Sequence, residues 1–245
     1  MLENATLDKL YTLQWTGFLR GLEEQLESDQ YNGMTFMERL GLLLDRELAV
    51  RENKQLEKLL LRAKFRQRAC IEDLDFKLGR NMDKSLVLNL SNCTWIQRAQ
   101  NVLITGPTGI GKSYLACALG QKACRENFQV HYYRMSAFLD LMACRRRKGT
   151  LAGFQKQLGK IPLLILDDFG LQELEKQERL DFLDILDDRI GRHSTAIVTQ
   201  LPVNLWHEMI GDSTIADAIL DRFIHNAHKI EMDGDSVRKI KNSLS

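Results

Sequence analysis

The sequence predicts an α/β protein, a parallel sheet covered on both faces by helices and preceded by an all-helical N-terminal region. Three observations carry this expectation. From residue 101 onward, short apolar runs alternate with helical stretches, the pattern of parallel strands joined by crossover helices. Residues 101–113, NVLITGPTGIGKS, read as a buried strand, a glycine-rich turn and the start of a helix. Residues 163–168, LLILDD, read as a second strand buried on both faces and ending in two carboxylates.

The N-terminal region shows helical periodicity only. Leu7, Leu10, Leu13, Phe18, Leu22 and Leu26 form one approximate stripe, with a break near Gly17. Residues 28–33 are a polar turn, and Thr35-x-x-Glu38 is a capping-box pattern that should open a long helix over 36–68. From residue 51 that helix carries Arg51, Lys54, Lys58, Arg62, Lys64, Arg66 and Arg68 against Glu52 and Glu57, a local excess of five positive charges, seven minus two. Two readings stay open: a solvated helix face, or a surface that tracks a phosphate backbone. Residues 71–100 read as a connector, in which Asp83 should cap a short helix through Leu90 while Trp95 and Ile96 dock on the core. The expected division is therefore a helical domain over 1–70, the connector, and a sheet domain over 101–245. Its expected strands are 102–105, 129–133, 163–167, 195–199 and 228–232. Its expected helices are 112–126, 136–147, 150–159, 175–191 and 214–226.

The glycine-rich turn fits G-x-x-x-x-G-K-[ST] with Gly106, Gly111, Lys112 and Ser113. A phosphate chain needs backbone N–H groups pointing inward from a tight curl, and glycine permits that curl. The helix that follows aims its N-terminal dipole at the same anion. The candidate nucleotide-binding run is Gly106, Pro107, Thr108, Gly109, Ile110, Gly111, Lys112, Ser113 and Tyr114. Lys112 should reach the β and γ phosphates, and the Ser113 hydroxyl should ligate Mg²⁺. Asp167 suits the Mg²⁺ shell, directly or through water, and Asp168 is the candidate for orienting or deprotonating an attacking water. A phosphate loop followed by an acidic strand is the order found in P-loop NTPases, which hydrolyse nucleotides.

Thr199 or Gln200, at the end of another apolar strand, could bond the γ-phosphate or the water as a sensor. Equally, the threonine hydroxyl could cap a strand end. Arg222, among Leu220, Phe223 and Ile224, could serve as an anion-reading finger into a neighbouring subunit, or pair with Asp217 or Asp221. The histidines form no zinc pattern.

Composition narrows the class. The chain has 245 residues, 44% hydrophobic and 27% charged, with a net charge of +1, so nucleic-acid binding has to come from local patches. The five cysteines form no C-x-x-C pair, which points to a reducing cytoplasm. No apolar run is long enough to span a membrane, and the N-terminus lacks a basic, apolar signal.

Taken in order, GPTGIGKS, LLILDDFG, QLPVNLWHEMIGD and ADAILDRFIHNAHKIE resemble the IstB-like AAA+ ATPases, the transposition helper proteins of insertion sequences. EEQLESDQYNGMTFMERLGLLLDRE and ENKQLEKLLLRAKFRQRACIEDLDF resemble that family's helical N-terminal region, so the resemblance covers nearly the whole chain. The ATPase core is more distantly similar to helicase loaders of the DnaC type. The resemblance implies ATP with Mg²⁺, double-stranded DNA, a homo-oligomer and a cognate transposase as ligands and partners, with no membrane. It also makes Arg222 the arginine-finger candidate and favours DNA contacts from Lys54, Lys58, Arg62, Lys64, Arg66 and Arg68. The chain departs from the family's usual sensor strand in having no serine before Gln200, and it has Asp168 where many AAA+ enzymes use glutamate. Only 13 residues follow Met232, so a C-terminal lid is expected to be absent or minimal, with Arg238 able to contact nucleotide. The alternatives are a DnaC-like replicative helicase loader, a small-molecule P-loop kinase, and a module that holds ATP without hydrolysing it.

Overall fold

The N-terminal residues fold into three helices, α1 (Leu2–Thr12), α2 (Thr16–Glu27) and α3 (Phe36–Ala63). These belong to a computed structural model that describes residues 2–76 and 82–234. The capping box at the head of α3 forms as expected. The Thr35 amide donates to Glu38 Oε2 at 2.7 Å, and the Glu38 amide donates back to Thr35 Oγ1 at 3.3 Å. Helix α2 has no such box, because its N-cap is Trp15 and makes no side-chain cap bond. Glu47 of α3 takes that role from a distance, accepting from the amides of Gly17 at 2.8 Å and Phe18 at 3.1 Å and from Arg51 Nε at 2.7 Å. The approach requires glycine at 17, where an added Cβ would stand 2.7 Å from the Arg46 carbonyl oxygen.

Helix α3 is shorter than its sequence pattern. It stops at Ala63, and Lys64 takes φ 57, a left-handed conformation that ends a helix. Lys64, Arg66 and Arg68 therefore do not lie on a helical face. The chain divides into two compact units, residues 1–58 and 59–245, with the division inside α3.

Among the described residues the second unit contains five parallel strands: β1 (Asn101–Thr105), β2 (Val130–Arg134), β3 (Leu163–Phe169), β4 (Ser194–Thr199) and β5 (Ala227–Glu231). Their spatial order is β2-β3-β4-β1-β5. Inserting β4 between β1 and β3 separates the phosphate-loop strand from the acidic strand by one strand width and leaves the ends of all three side by side. Helix α4 (Lys84–Ser91) is capped by Asp83, which accepts from the Ser85 and Leu86 amides. The short α5 (Thr94–Gln97) buries Trp95 and Ile96. Helices α6 (Lys112–Arg125), α7 (Met135–Arg147), α8 (Leu151–Leu158), α9 (Lys176–Arg189) and α11 (Ser213–Ile224) fall where the periodicity placed them. The short α10 (Trp206–Ile210) and the 3₁₀ turn before it were not expected.

One face of the sheet presents Leu103, Leu164, Leu166 and Ile197 to a cluster that includes Phe138, Phe182, Trp206 and Phe223. Each of these large side chains is buried and contributes roughly 1.5–3 kcal/mol. At the far end of the strands, Arg189 is buried with no carboxylate partner among the described residues. Its guanidinium instead donates to the carbonyls of Leu158, Ile161 and Ser194 and to Thr195 Oγ1, tying the starts of β3 and β4 together. Burial pushes its pKa down from the ordinary guanidinium range. The expected C-terminal tail with Arg238 lies outside the described residues.

Glu47 makes the helical unit sensitive to acid. Burial alone would raise its carboxyl, but the bonds from Arg51, Phe18 and Gly17 outweigh it and hold the pKa below the ordinary glutamate value. The stabilisation is complete above the unfolded glutamate pKa of about 4.3 and is lost as pH falls through the depressed folded value. Glu47→Gln should lower the thermal midpoint by about 2–6 °C at pH 7, with the gap from the parent closing below about pH 4. Helical circular dichroism melts across pH read this directly. An equal gap at pH 3 and pH 7 would mean that the carboxylate charge is not what holds α2.

Candidate nucleotide site

The phosphate loop takes its shape from three glycines in the left-handed half of backbone space, Gly106 at φ 145, Gly109 at φ 83 and Gly111 at φ 108. Gly111 is the N-cap of α6, and its carbonyl accepts the first helical bond, from the Leu115 amide at 3.0 Å. Gly106 faces a steric limit as well. A Cβ there would overlap the backbone carbonyl oxygen of Met232, whose own amide donates to Thr105 O at 2.9 Å. The side chain of Ile110 is wholly buried and anchors the loop from below, so only its backbone is available to a ligand. Lys112 folds back over the curl, and its Nζ donates to the carbonyls of Gly106 at 2.7 Å and Pro107 at 2.9 Å. Desolvation lowers the Lys112 pKa, against the opposing charges of Asp167 and Asp168.

The acidic strand differs from its expected form. β3 continues to Phe169, two residues past the expected end, and its register against β4 shifts between Leu166 and Phe169. The shift is a bulge, a device that re-aims side chains. Asp168 sits in it with φ 60, a strained conformation for a non-glycine residue. Asp167 is fully buried, and each of its oxygens holds one donor, Oδ1 the Asp168 amide at 2.8 Å and Oδ2 the Tyr132 hydroxyl at 2.5 Å. Burial, with the adjacent Asp167 charge, pushes the Tyr132 phenol far up, so it remains a donor. Asp168 Oδ2 instead lies 3.5 Å from Arg66 and 3.7 Å from Arg134.

The two sensor candidates separate. Thr199 is wholly buried, and its hydroxyl donates to Phe169 O at 2.7 Å and accepts from the Leu201 amide at 2.9 Å. It pins the end of β3 to the turn after β4. Gln200 accepts through Oε1 from the Thr108 hydroxyl, so its side chain is the one that reaches the phosphate loop.

The family described as IstB-like ATP binding protein matches residues 8–245. The chain belongs to the IstB-like ATP-binding family. It is a P-loop ATPase with the AAA+ fold, in which the phosphate loop follows β1 and the acidic strand is β3. A Sinorhizobium fredii protein named as an insertion sequence ATP-binding protein is 46% identical over 239 residues, 98% of each chain. The ATP-binding protein of insertion sequence IS1162 from Pseudomonas fluorescens is 44% identical over 203 residues, covering 82% of this chain and 88% of that one. Among solved structures, DnaI shares the fold with TM-score 0.57 at 18% identity, over 67% of this chain and 91% of its own. AMPPCP-bound DnaA from Aquifex aeolicus does so with TM-score 0.59 at 21% identity, over 74% and 56%.

Two further candidates of this IstB-like ATPase lie apart from the loop. Arg222 pairs with Asp187 of α9, neither of the two aspartates expected, and also donates to Ala218 O at 3.0 Å. Asp217 and Asp221 face His207 and His225. In the basic run, Lys54 donates to Thr16 Oγ1 at 3.0 Å, and Arg66 stands beside Asp168 instead of on an open helical face. Lys58, Arg62, Lys64 and Arg68 are exposed and have no carboxylate partner among the described residues. Sequence reading missed Tyr132, Arg134 and the Met232 carbonyl. The only signal for the first two was their place near the end of β2, the same sheet end as the carboxylates.

Gly106→Ala tests whether close approach to β5 sets the loop. The Cβ would force the loop off Met232, at a cost of about 1–3 kcal/mol. ATP affinity, measured by titration calorimetry on the folded variant, should fall more than about tenfold. Unchanged affinity would show that the loop tolerates displacement from β5.

Proposed function

We propose that this ATPase is a transposition helper that binds double-stranded DNA in an ATP-dependent way. It self-associates on target DNA and recruits and stimulates a cognate transposase, with hydrolysis controlling assembly and release. The observation that carries this reading is family membership over residues 8–245, together with relatives named for insertion sequences. Exposed Lys54, Lys58, Arg62, Lys64 and Arg68 supply cations of the kind that meet a phosphate backbone without reading sequence. Such work belongs in the cytoplasm, and among the described residues no helix is long and apolar enough to cross a membrane.

The mechanism follows from the site. The loop amides and the head of α6 bind the phosphates, and Lys112 exchanges its two carbonyl contacts for phosphate oxygens. Mg²⁺ suits the donors, since the Ser113 hydroxyl and the Asp167 carboxylate are hard oxygens and each Asp167 oxygen retains a lone pair beyond its one donor among the described residues. Its contribution would be to neutralise charge developing on the phosphate oxygens. Asp168, beside Asp167 and partly open to solvent, orients the attacking water. Gln200, which accepts from the Thr108 hydroxyl, reports on an occupied loop. Arg222 completes a neighbour's site in the oligomer once it leaves Asp187.

Asp168→Asn should keep ATP bound, because Lys112 and the loop amides are unchanged. Turnover should fall by about 10²–10⁴, the range ascribed to a positioned base. The variant should therefore stay on duplex DNA with ATP where the parent releases, as filter binding or single-molecule residence times would report. Rapid release at parental rates would uncouple hydrolysis from DNA exit.

Arg222 in trans has a decisive mixing test. Arg222→Ala should bind ATP as an isolated subunit yet hydrolyse about 10³-fold or more slowly. Lys112→Ala carries an intact finger and an empty site. Mixed on DNA, some interfaces join the good site to the good finger, and ATPase activity should exceed that of either variant alone. Co-assembled mixtures with no rescue at any ratio would refute a shared site.

A further inference from the structure

Beyond Ala63 the chain does not leave the ATPase unit. Residues 64–72 run as a strap along α6, the helix that begins with Lys112. Phe65 lies against the Tyr132 ring at 6.3 Å between centroids, and over Gly120, where an added Cβ would be 2.5 Å from the Phe65 ring. Gln121 Nε2 donates to Gln67 O at 2.9 Å, the Cys70 amide donates to the Tyr114 hydroxyl at 3.4 Å, and Arg125 reaches Glu72 at 3.6 Å. Ala69 and Ile71 are buried. The strap is thus fixed to the ATPase unit on both sides of Arg66.

Two consecutive strap residues serve two consecutive carboxylates. Phe65 packs on Tyr132, whose hydroxyl holds Asp167, and Arg66 stands 3.5 Å from Asp168 Oδ2. Both side chains of the Arg66–Asp168 pair are about one-third exposed, 34% and 33%, so the pair adds little to stability. Its place is informative instead. Asp168 has a short arm, sits in a bulge with φ 60, and among the described residues its carboxylate faces Arg66 and Arg134, at 3.5 and 3.7 Å. A flanking guanidinium restricts where that carboxylate can point.

We propose that Arg66 is a positioning residue for Asp168, and that the strap makes turnover depend on the segment joining α3 to the ATPase fold. The inference rests on the reading of Asp168 as the water-orienting group. It also removes Arg66 from the residues free to contact DNA.

The test measures ATPase activity of the full chain at saturating duplex DNA, so that changes in DNA affinity do not enter. Arg66→Ala should lower kcat about tenfold, equivalent to about 1.4 kcal/mol, with the KM for ATP within about twofold of the parent. Arg66→Lys should recover part of kcat, since it retains a cation of similar reach. In an Asp168→Asn background, Arg66→Ala should have no further effect, because Arg66 acts through that carboxylate. Parental kcat in Arg66→Ala, or equal losses with and without Asp168, would overturn the proposal. A rise in KM with kcat unchanged would also overturn it, by making Arg66 a nucleotide contact. If Asp168→Asn itself retains parental turnover, the reading of Asp168 fails, and that outcome is separate from the behaviour of Arg66→Ala in the parent.

Discussion

The site is organised around one buried negative charge, the carboxylate of Asp167. A carboxylate with no exposure is costly unless donors and a cation surround it. The nearest donors are the Tyr132 hydroxyl across the β2–β3 pair and the amide of the very next residue. The second donor has a structural consequence. The Asp168 amide accompanies a left-handed turn at residue 168, which shifts the register against β4 and turns the Asp168 side chain toward the arginines. Lys112 supplies a nearby positive charge, and its own lowered pKa is moderated by both aspartates. Strand, bulge and phosphate loop are therefore electrostatically one unit.

The constraint extends to β5 through sterics. The loop can curl only because Gly106 lets the Met232 carbonyl approach, and the amide of Met232 bonds the end of β1 in return. The strand order places β4 between β1 and β3, so Gln200 emerges beside Thr108, while Thr199 is consumed in holding β3 and β4 together. Adjacent polar residues thus acquire different jobs because Thr199 is the last, buried residue of β4 and Gln200 lies in the bend that follows it.

What the sequence made legible follows the range of each interaction. The glycines of the loop, Lys112, the Thr35–Glu38 box and the Asp83 cap act over a few residues, and local spacing announces them. The strands of the sheet were legible to within two residues at most ends, since apolar runs between helices admit few alternatives. The pairs Arg66–Asp168, Tyr132–Asp167 and Arg222–Asp187 join residues 35 or more positions apart, and no local pattern encodes them. The stop at Lys64 was hidden for another reason. Lysine is a good helix former, and the helix is ended by docking of Phe65 over Gly120, a tertiary override of propensity. The bulge was hidden likewise, because LLILDDF is as good a continuous strand as a bulged one.

The basic run shows why net charge is a poor guide to such a protein. Seven cations follow one another between residues 51 and 68, yet the structure distributes them among different tasks. Arg51 closes the Glu47 cap, and Arg66 faces a carboxylate of the nucleotide site. Lys58, Arg62, Lys64 and Arg68 are exposed and have no carboxylate among the described residues, and on the proposed function they meet a phosphate backbone. These exposed cations flank, in sequence, the one beside Asp168. Any ligand that pulls on Lys64 or Arg68 acts on a peptide segment whose middle residue is Arg66. Because the strap is held by specific bonds to Gln121 and Tyr114, such a pull meets discrete contacts that hold or break, and this is the physical requirement for a switch.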